Sequence, residues 1–403
     1  MNIISFNFKQ IKSRPLSSIL NIILFATGVT VISLIFLLKD GFERQMDKNA
    51  SNIDLVVGAK GSPLQLILSS IYHVDYPTGN IDYNEAMKLN RNPLIKQIIP
   101  LALGDNYNGF RIVGTDKSYP VIYNGKLKNG KIWNKNSEVT IGSKVASKTG
   151  LTLGSQFAGV HGLSEDSDHI HEEKPYTVAG IFEETGTVID QLILTNIESV
   201  WDIHDHNHRH EQHELEEEHE HDDGHKEITA LLVQYKNPMG AITLPRQINK
   251  STNMQAASPV LEMNRLYSLL DVGVEAITYI SGLIILISAL SIFISLLNSL
   301  KERKYELALI RVMGGSRLRL FSILLLEGIS FSIIGYIIGF IFSRVITLIL
   351  SHYTESNFNY TFQEWTTSTD LYLFIASLII GIVAALIPAI KAMNMNISKT
   401  LSE

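Results

Sequence analysis

The sequence predicts a membrane α-helical protein with four transmembrane helices and a large mixed α/β extracytoplasmic domain inserted between the first and second. Three features of its 403 residues predict this. Four stretches, 16–38, 273–297, 320–350 and 371–390, are long, apolar and nearly free of charge. About 18 or more such residues cover the roughly 30 Å hydrocarbon core of a bilayer, and core helices of soluble proteins seldom stay charge-free for so long. The stretch 39–272 is polar by contrast and reads as an ordinary folded domain. Lys and Arg gather at alternate ends of the apolar stretches, the asymmetry that orients helices in a membrane.

In chain order, residues 1–15 come first. There Ile4, Phe8 and Ile11 share one face, away from Lys9 and Lys12, as in a short helix lying in the membrane interface. Pro15 separates it from the first span. The run 16–38 is too long for the apolar part of a signal peptide. It is followed by Lys39-Asp40-Gly41-Phe42 rather than a cleavage site, so it reads as a retained anchor. Residues 41–48 can continue that helix. Pro259 can start another, with Leu261, Leu266, Leu269, Leu270 and Val274 recurring at helical spacing up to the second span. These two pieces are expected to be stalks joining the inserted domain to the bilayer. Between them, β-rich pieces at 53–57, 110–113, 138–141, 176–182, 191–194 and 228–235 alternate with Gly- and Asn-rich turns. Residues 142–151 read as a short helix ending at Gly150. The remainder is a charged loop at 298–319, a short loop at 351–370 between the third and fourth spans, and a tail at 391–403.

Lys9, Lys12 and Arg14 precede the first span. Lys301, Arg303, Lys304, Arg311, Arg317 and Arg319 lie between the second and third, and Lys391 and Lys399 follow the fourth. Residues 352–370 have no Lys or Arg. The expectation is a multi-pass protein of a bacterial inner (plasma) membrane with both termini and the 298–319 loop in the cytoplasm. The net charge of −6 adds little, because it averages basic inner loops with an acidic outer domain; no nucleic-acid partner is expected. There is no cysteine, hence no disulfide or thiol chemistry. The spans carry few ionisable groups, unlike ion-coupled carriers, which place them there. Glu275 and Arg344 are expected near outer ends, within reach of the interface. Glu327, about two turns into the third span, reads as a residue satisfied near the cytoplasmic side. Gly335 and Gly339 form a G-x-x-x-G, and Ser288, Ser291 and Ser295 a small face. Such residues let helices approach closely in lipid, within one subunit or between two.

One segment is of low complexity. His204, His206, His208, His210, His213, His219, His221 and His225 are interleaved with nine Asp or Glu residues in 204–225. It reads as a loop insertion, disordered without metal. Imidazole and carboxylate suit Zn²⁺, or alternatively Ni²⁺ or Cu²⁺. The protease pattern His-Glu-x-x-His is absent, since His210-Glu211-Gln212-His213 is one residue short. His169 and His171, beside Glu172 and Glu173, make a weaker second cluster. His73, His161 and His352 read as structural residues.

The 298–319 loop runs Leu300-Lys301-Glu302-Arg303-Lys304-Tyr305-Glu306-Leu307-Ala308-Leu309-Ile310-Arg311-Val312-Met313-Gly314-Gly315-Ser316-Arg317. It reads as a charged amphipathic helix, a Gly-Gly break and a Ser able to cap the next helix. This closely resembles the coupling segment of MacB/FtsX/LolC-type (type VII, mechanotransmission) ABC transporter permeases. The ending Pro388-Ala389-Ile390-Lys391-Ala392, followed by 397–401, is similar to that family's. So are Ile141-Gly142-Ser143-Lys144-Val145-Ala146 with Leu153-Gly154, and Tyr176-Thr177-Val178-Ala179-Gly180-Ile181-Phe182, to its periplasmic core. The resemblance spans essentially the whole chain.

The resemblance implies a non-catalytic permease subunit. Its coupling residues would be Glu302, Arg303, Glu306, Arg311, Gly314 and Gly315, working with a cytoplasmic ABC ATPase dimer that holds ATP and Mg²⁺. It further implies a second permease copy or paralogue, and a periplasmic adaptor or binding protein as a further candidate partner. The cargo would be extracytoplasmic: lipoprotein, lipid, peptide or drug. The chain carries no G-x-x-x-x-G-K-[ST], and only about fifteen residues precede the first span, so the ATPase is expected on a separate chain. Gly58-Ala59-Lys60-Gly61-Ser62-Pro63 lacks phosphate-loop spacing and reads as a turn. The His-rich insertion departs from the family and keeps open a role in divalent-metal homeostasis. A third alternative is an FtsX-like scaffold that activates a periplasmic hydrolase.

Overall fold

The computed structural model describes residues 13, 15–161, 175–202, 226–357 and 368–395. The interfacial segment, the His-rich insertion at 204–225, the pair His169 and His171, and the chain beyond 395 lie outside the described residues. The chain divides into two units: Met1–Phe42 with Leu269–Glu403, and Glu43–Ser268. Helix α1 (Pro15–Ala50) contributes residues to both.

The inserted unit is built on strands β1 (Leu55–Ala59), β2 (Ile81–Asp82), β3 (Ile95–Tyr107), β4 (Phe110–Thr115), β5 (Leu127–Gly130), β6 (Glu138–Ile141), β7 (Gln156–Phe157), β8 (Val160–His161), β9 (Tyr176–Phe182), β10 (Ile193–Thr195), β11 (Glu227–Ile228), β12 (Ala230–Tyr235) and β13 (Met254–Ala257). Among the described residues one mixed sheet runs β13-β1-β12-β3-β4-β10-β6-β9-β5, with β7 on β9 and β8 on β3, and β2 pairs with β11 apart from it. The pairs β4–β10 and β6–β9 are parallel.

Alternation along the strands gives the sheet two buried faces. Val56, Leu101, Val113, Leu194 and Leu232 pack on one side with Leu66 and Ile67 of helix α2 (Pro63–Ser70). Leu55, Val57, Ile98, Leu231 and Val233 pack on the other. A further cluster joins Ile112, Ile141 and Val178 to Val145 of helix α3 (Ser143–Thr149), which ends at Gly150 with φ +73°. Helix α4 (Met239–Ser251) adds Leu244 and Ile248 to the second face.

Residues 43–50 are tied into this unit by polar contacts. Gln45 Nε2 donates to the Gly186 carbonyl (3.0 Å) and Lys48 Nζ to that of Thr185 (2.9 Å). Asn49 Oδ1 accepts from the Val188 amide (3.0 Å), and the Met46 carbonyl accepts from the Tyr72 hydroxyl (3.1 Å). The turn they grip is closed by the buried Asp190, whose carboxylate accepts from the Thr185 and Gly186 amides. Helix α5 (Pro259–Glu302) starts in the same unit, where the Tyr267 hydroxyl donates to Asp47 Oδ1 (3.1 Å).

The membrane unit holds α1, α5, a short helix α6 (Lys304–Val312), α7 (Arg317–Asn357) and α8 (Ser368–Met393). Stretches of α1, α5, α7 and α8 are long and apolar enough to cross a membrane. The small residues of α5 face α1: the Ser291 hydroxyl donates to Asn21 Oδ1 (2.6 Å), and Ser295 meets Ser17 (3.0 Å). Gly335 and Gly339 face α1 within the same chain. A Cβ on Gly335 would stand 2.9 Å from Phe25, and one on Gly339 2.7 Å from the Ala26 carbonyl.

Several boundaries differ from the sequence reading. Residues 300–302 belong to α5, not to the coupling helix. The third helix runs past 350 to Asn357, and the fourth starts at Ser368 and contains Lys391, so the loop between them is shorter than 351–370. Hydropathy ends at 350, but no Gly or Pro follows to stop the helix. Arg344, expected within reach of the interface, is buried in an ion pair with Asp370. Strand β3 is absent from the sequence reading and contains Pro100. The proline is tolerated because β4 ends opposite Leu101, leaving no ladder beyond it on that side.

Candidate coupling site

Helix α5 stops at Glu302 because Arg303 leaves helical geometry (φ −105°, ψ 15°), and α6 begins at Lys304. Its end is a Schellman motif: the Gly315 amide donates to the Ile310 carbonyl (2.9 Å) and the Gly314 amide to that of Arg311 (3.1 Å). Gly314 takes φ +91°, where a Cβ is penalised, and a Cβ on Gly315 would stand 2.7 Å from the Ile310 carbonyl. The Ser316 hydroxyl then accepts from the Arg319 amide (3.2 Å) at the start of α7. The Gly-Gly-Ser run is thus a helix stop followed by a helix start.

Helix α6 has two unlike faces. Leu307 and Ala308 are buried with Leu300, Leu320, Leu324, Ala389 and Ala392. Tyr305, Leu309, Val312 and Met313 recur at one-face spacing and are 45–74% exposed. Glu302 and Glu306 are exposed and Arg311 is half-buried. Arg303 is turned inward, its Nη2 donating to the Ser13 hydroxyl (3.2 Å). The sequence reading dwelt on the charges and missed the apolar stripe. Its signal was Tyr305, Leu309 and Val312 at i, i+4 and i+7, on the side of the helix away from the buried Leu307.

Among the described residues no group of three or more His, Asp or Glu is placed to hold a metal. His73 is buried, with Nε2 3.0 Å from the Tyr119 hydroxyl.

Four apolar helices, a mixed α/β insertion after the first and a short two-faced helix after the second define a multi-pass membrane protein. Residues 18–240, more than half of the chain, match the MacB-like periplasmic core domain, and residues 278–397 match the FtsX-like permease C-terminal domain. The chain belongs to the MacB/FtsX-type permease family of ABC transporters. It is 27% identical over 146 residues to an uncharacterized membrane protein of Buchnera aphidicola subsp. Schizaphis graminum, covering 32% of this chain and 35% of that protein. Among solved structures it is similar to the periplasmic region of MacB from Actinobacillus actinomycetemcomitans: 11% identity, 55% of this chain, 97% of that one, TM-score 0.33. It is also similar to the extracellular domain of YknZ, a noncanonic ABC-type transporter from Gram-positive bacteria: 14% identity, 51% of this chain, 99% of that one, TM-score 0.29.

Proposed function

We propose that the chain is a permease subunit driven by a separate cytoplasmic ATPase dimer, and that it works on a cargo on the far side of the membrane. The observation that carries this is the exposed apolar stripe of α6, Tyr305, Leu309, Val312 and Met313, on a helix fixed at both ends. A short helix offering one apolar face is suited to lie in a groove of a partner, and charged Glu302, Glu306 and Arg311 at its borders would set the register. Both termini and α6 then lie in the cytoplasm and residues 43–268 outside. The polar grip on residues 43–50 supports transfer of helix motion into the inserted domain, as does the start of α5 in that same unit. A second permease copy would complete the assembly.

The test is co-purification of the full chain with the ABC ATPase expressed beside it. Tyr305→Ala with Met313→Ala should weaken that association at least about tenfold, as loss of two large anchors does, without changing the melting of the chain. Unchanged association would remove α6 as the docking element.

The His-rich segment supports an added proposal: 204–225 takes Zn²⁺ or a similar divalent ion outside the cytoplasm. Eight imidazoles in 22 residues stand at high mutual concentration beside nine carboxylates.

A further inference from the structure

The membrane unit buries Glu327 and, apart from it in sequence, a pair of opposite charges. The side chains of Arg344 on α7 and Asp370 on α8 are 7% and 9% exposed, and Arg344 Nη2 donates to Asp370 Oδ2. Arg344 Nη1 donates to the hydroxyls of Ser33 (3.0 Å) and Ser343 (3.1 Å), and its guanidinium lies 4.3 Å from the Phe340 ring centre. Ser33 Oγ, on α1, donates to Asp370 Oδ1 (3.1 Å). The Tyr336 hydroxyl donates to the Asp370 carbonyl (2.9 Å). Charge joins α7 to α8 directly, whereas among the described residues α1 meets this network through the neutral Ser33 hydroxyl.

These two joints differ in what it takes to open them. Separating a buried ion pair leaves uncompensated charge in a low dielectric, so α7 and α8 stay together. Withdrawing Ser33 strands nothing, because Arg344 keeps Asp370 and Ser343, and Asp370 keeps Arg344. The freed hydroxyl can turn to the carbonyl one helical turn back. Thr30 already shares itself in that way, donating to Ala26 in its own helix (2.7 Å) and to Gly339 on α7 (3.2 Å). Around them α1 meets α7 through Phe25, Ala26 and Val29 against Gly335 and Gly339, a slot of non-directional contacts. An ion pair of this kind seldom adds stability over apolar residues of like volume, so its use here lies in fixing one joint while leaving the other free.

We propose that α1 is a releasable element that slips against a fixed α7–α8 pair, with Ser33 and Thr30 as the catch and Arg344–Asp370 as the anchor. The proposal rests on the transporter reading above, since slip of α1 is the motion that would reach residues 43–50.

The first test uses the full chain alone in nanodiscs. Arg344→Met or Asp370→Leu singly should lower the melting temperature by more than about 5 °C, and the double variant should recover most of it. Failure of a single-charge variant to fold is the extreme of the same outcome. Ser33→Ala should cost less than about 2 °C. A loss from Ser33→Ala equal to that of the single-charge variants, or a double variant as weak as the singles, overturns the division into catch and anchor. The second test exploits the absence of cysteine. The Ser33 and Ser343 hydroxyls stand 3.2 Å apart, so Ser33→Cys with Ser343→Cys provides one disulfide across the catch. In the complex with the ATPase, oxidation should abolish the ATP-induced change in hydrogen exchange over 43–268, and reductant should restore it. A change that survives the disulfide overturns the slip. Should no ATPase bind the chain, the transporter reading fails, and the melting series still decides the partition.

Discussion

His73 sits at φ +55° in the inserted unit, its ring buried and hydrogen-bonded to Tyr119. Burial, with the positive Arg111 as the lesser cause, pushes its pKa down to about 3. In the unfolded chain the imidazole titrates near 6.5. The fold therefore excludes a proton that the unfolded chain accepts. The contribution is complete above pH 6.5 and drains away as pH falls toward the folded pKa, by up to about 1.4 kcal/mol per pH unit. Asn tolerates the left-handed conformation and does not titrate. The melting temperature of the full-length His73→Asn variant should fall less steeply between pH 6.5 and 4 than that of the parent, and equal slopes would contradict this account. The sequence reading of His73 as structural agrees with this burial. The Asp370 partner of Arg344 was not legible, because a sequence shows distance from a helix end but not the acid on a neighbouring helix.

At the scale of elements, α6 separates two effects that the sequence merges. Arg311 borders the exposed stripe, whereas Arg303 is engaged with Ser13. Arg311→Glu should therefore impair coupling, read as loss of cargo- or ATP-linked motion with ATPase binding retained within a few fold. Arg303→Glu should in addition lower the melting temperature. Identical profiles for the two would show that their different settings do not matter. The strands at 110–113, 138–141, 176–182 and 228–235 and the helix capped by Gly150 were legible from alternation and turn residues. Strands β3 and β13 and helices α2 and α4 were not: Pro100 and Pro245 lie inside two of them, and long-range pairing overrides such local signals. Helix α6 was legible as amphipathic, but which face stayed bare depended on the packing of Leu307 and Ala308 against α7 and α8.

For the whole molecule, the four spans and the place of the insertion were legible because bilayer thickness imposes a length that few other structures need. The order of strands in the sheet was not, since each crossover is set by packing far away in sequence. Ile197, Val200 and Ile228, on either side of 204–225, are packed into a core cluster of the inserted unit. Deleting 204–225 should leave the melting temperature within about 2 °C of the parent. Titrating parent and deletion variant with Zn²⁺ in a calorimeter should give binding heat in the parent alone, weakening below about pH 6.5 as protons compete for the imidazoles. Equal heats would place any zinc elsewhere.

The roots of that segment are held together. Trp201 Nε1 donates to the Glu227 carbonyl (2.6 Å), and the Lys226 ammonium lies 4.9 Å from the Trp201 ring centre. The described residues on either side of the segment thus meet at one spot, and the entropy of closing a loop there grows only as the logarithm of its length, about 0.6 kcal/mol per doubling. Such a spot is a natural grafting port. A fluorescent protein or an affinity epitope whose termini lie close together could replace 204–225 without disturbing the sheet.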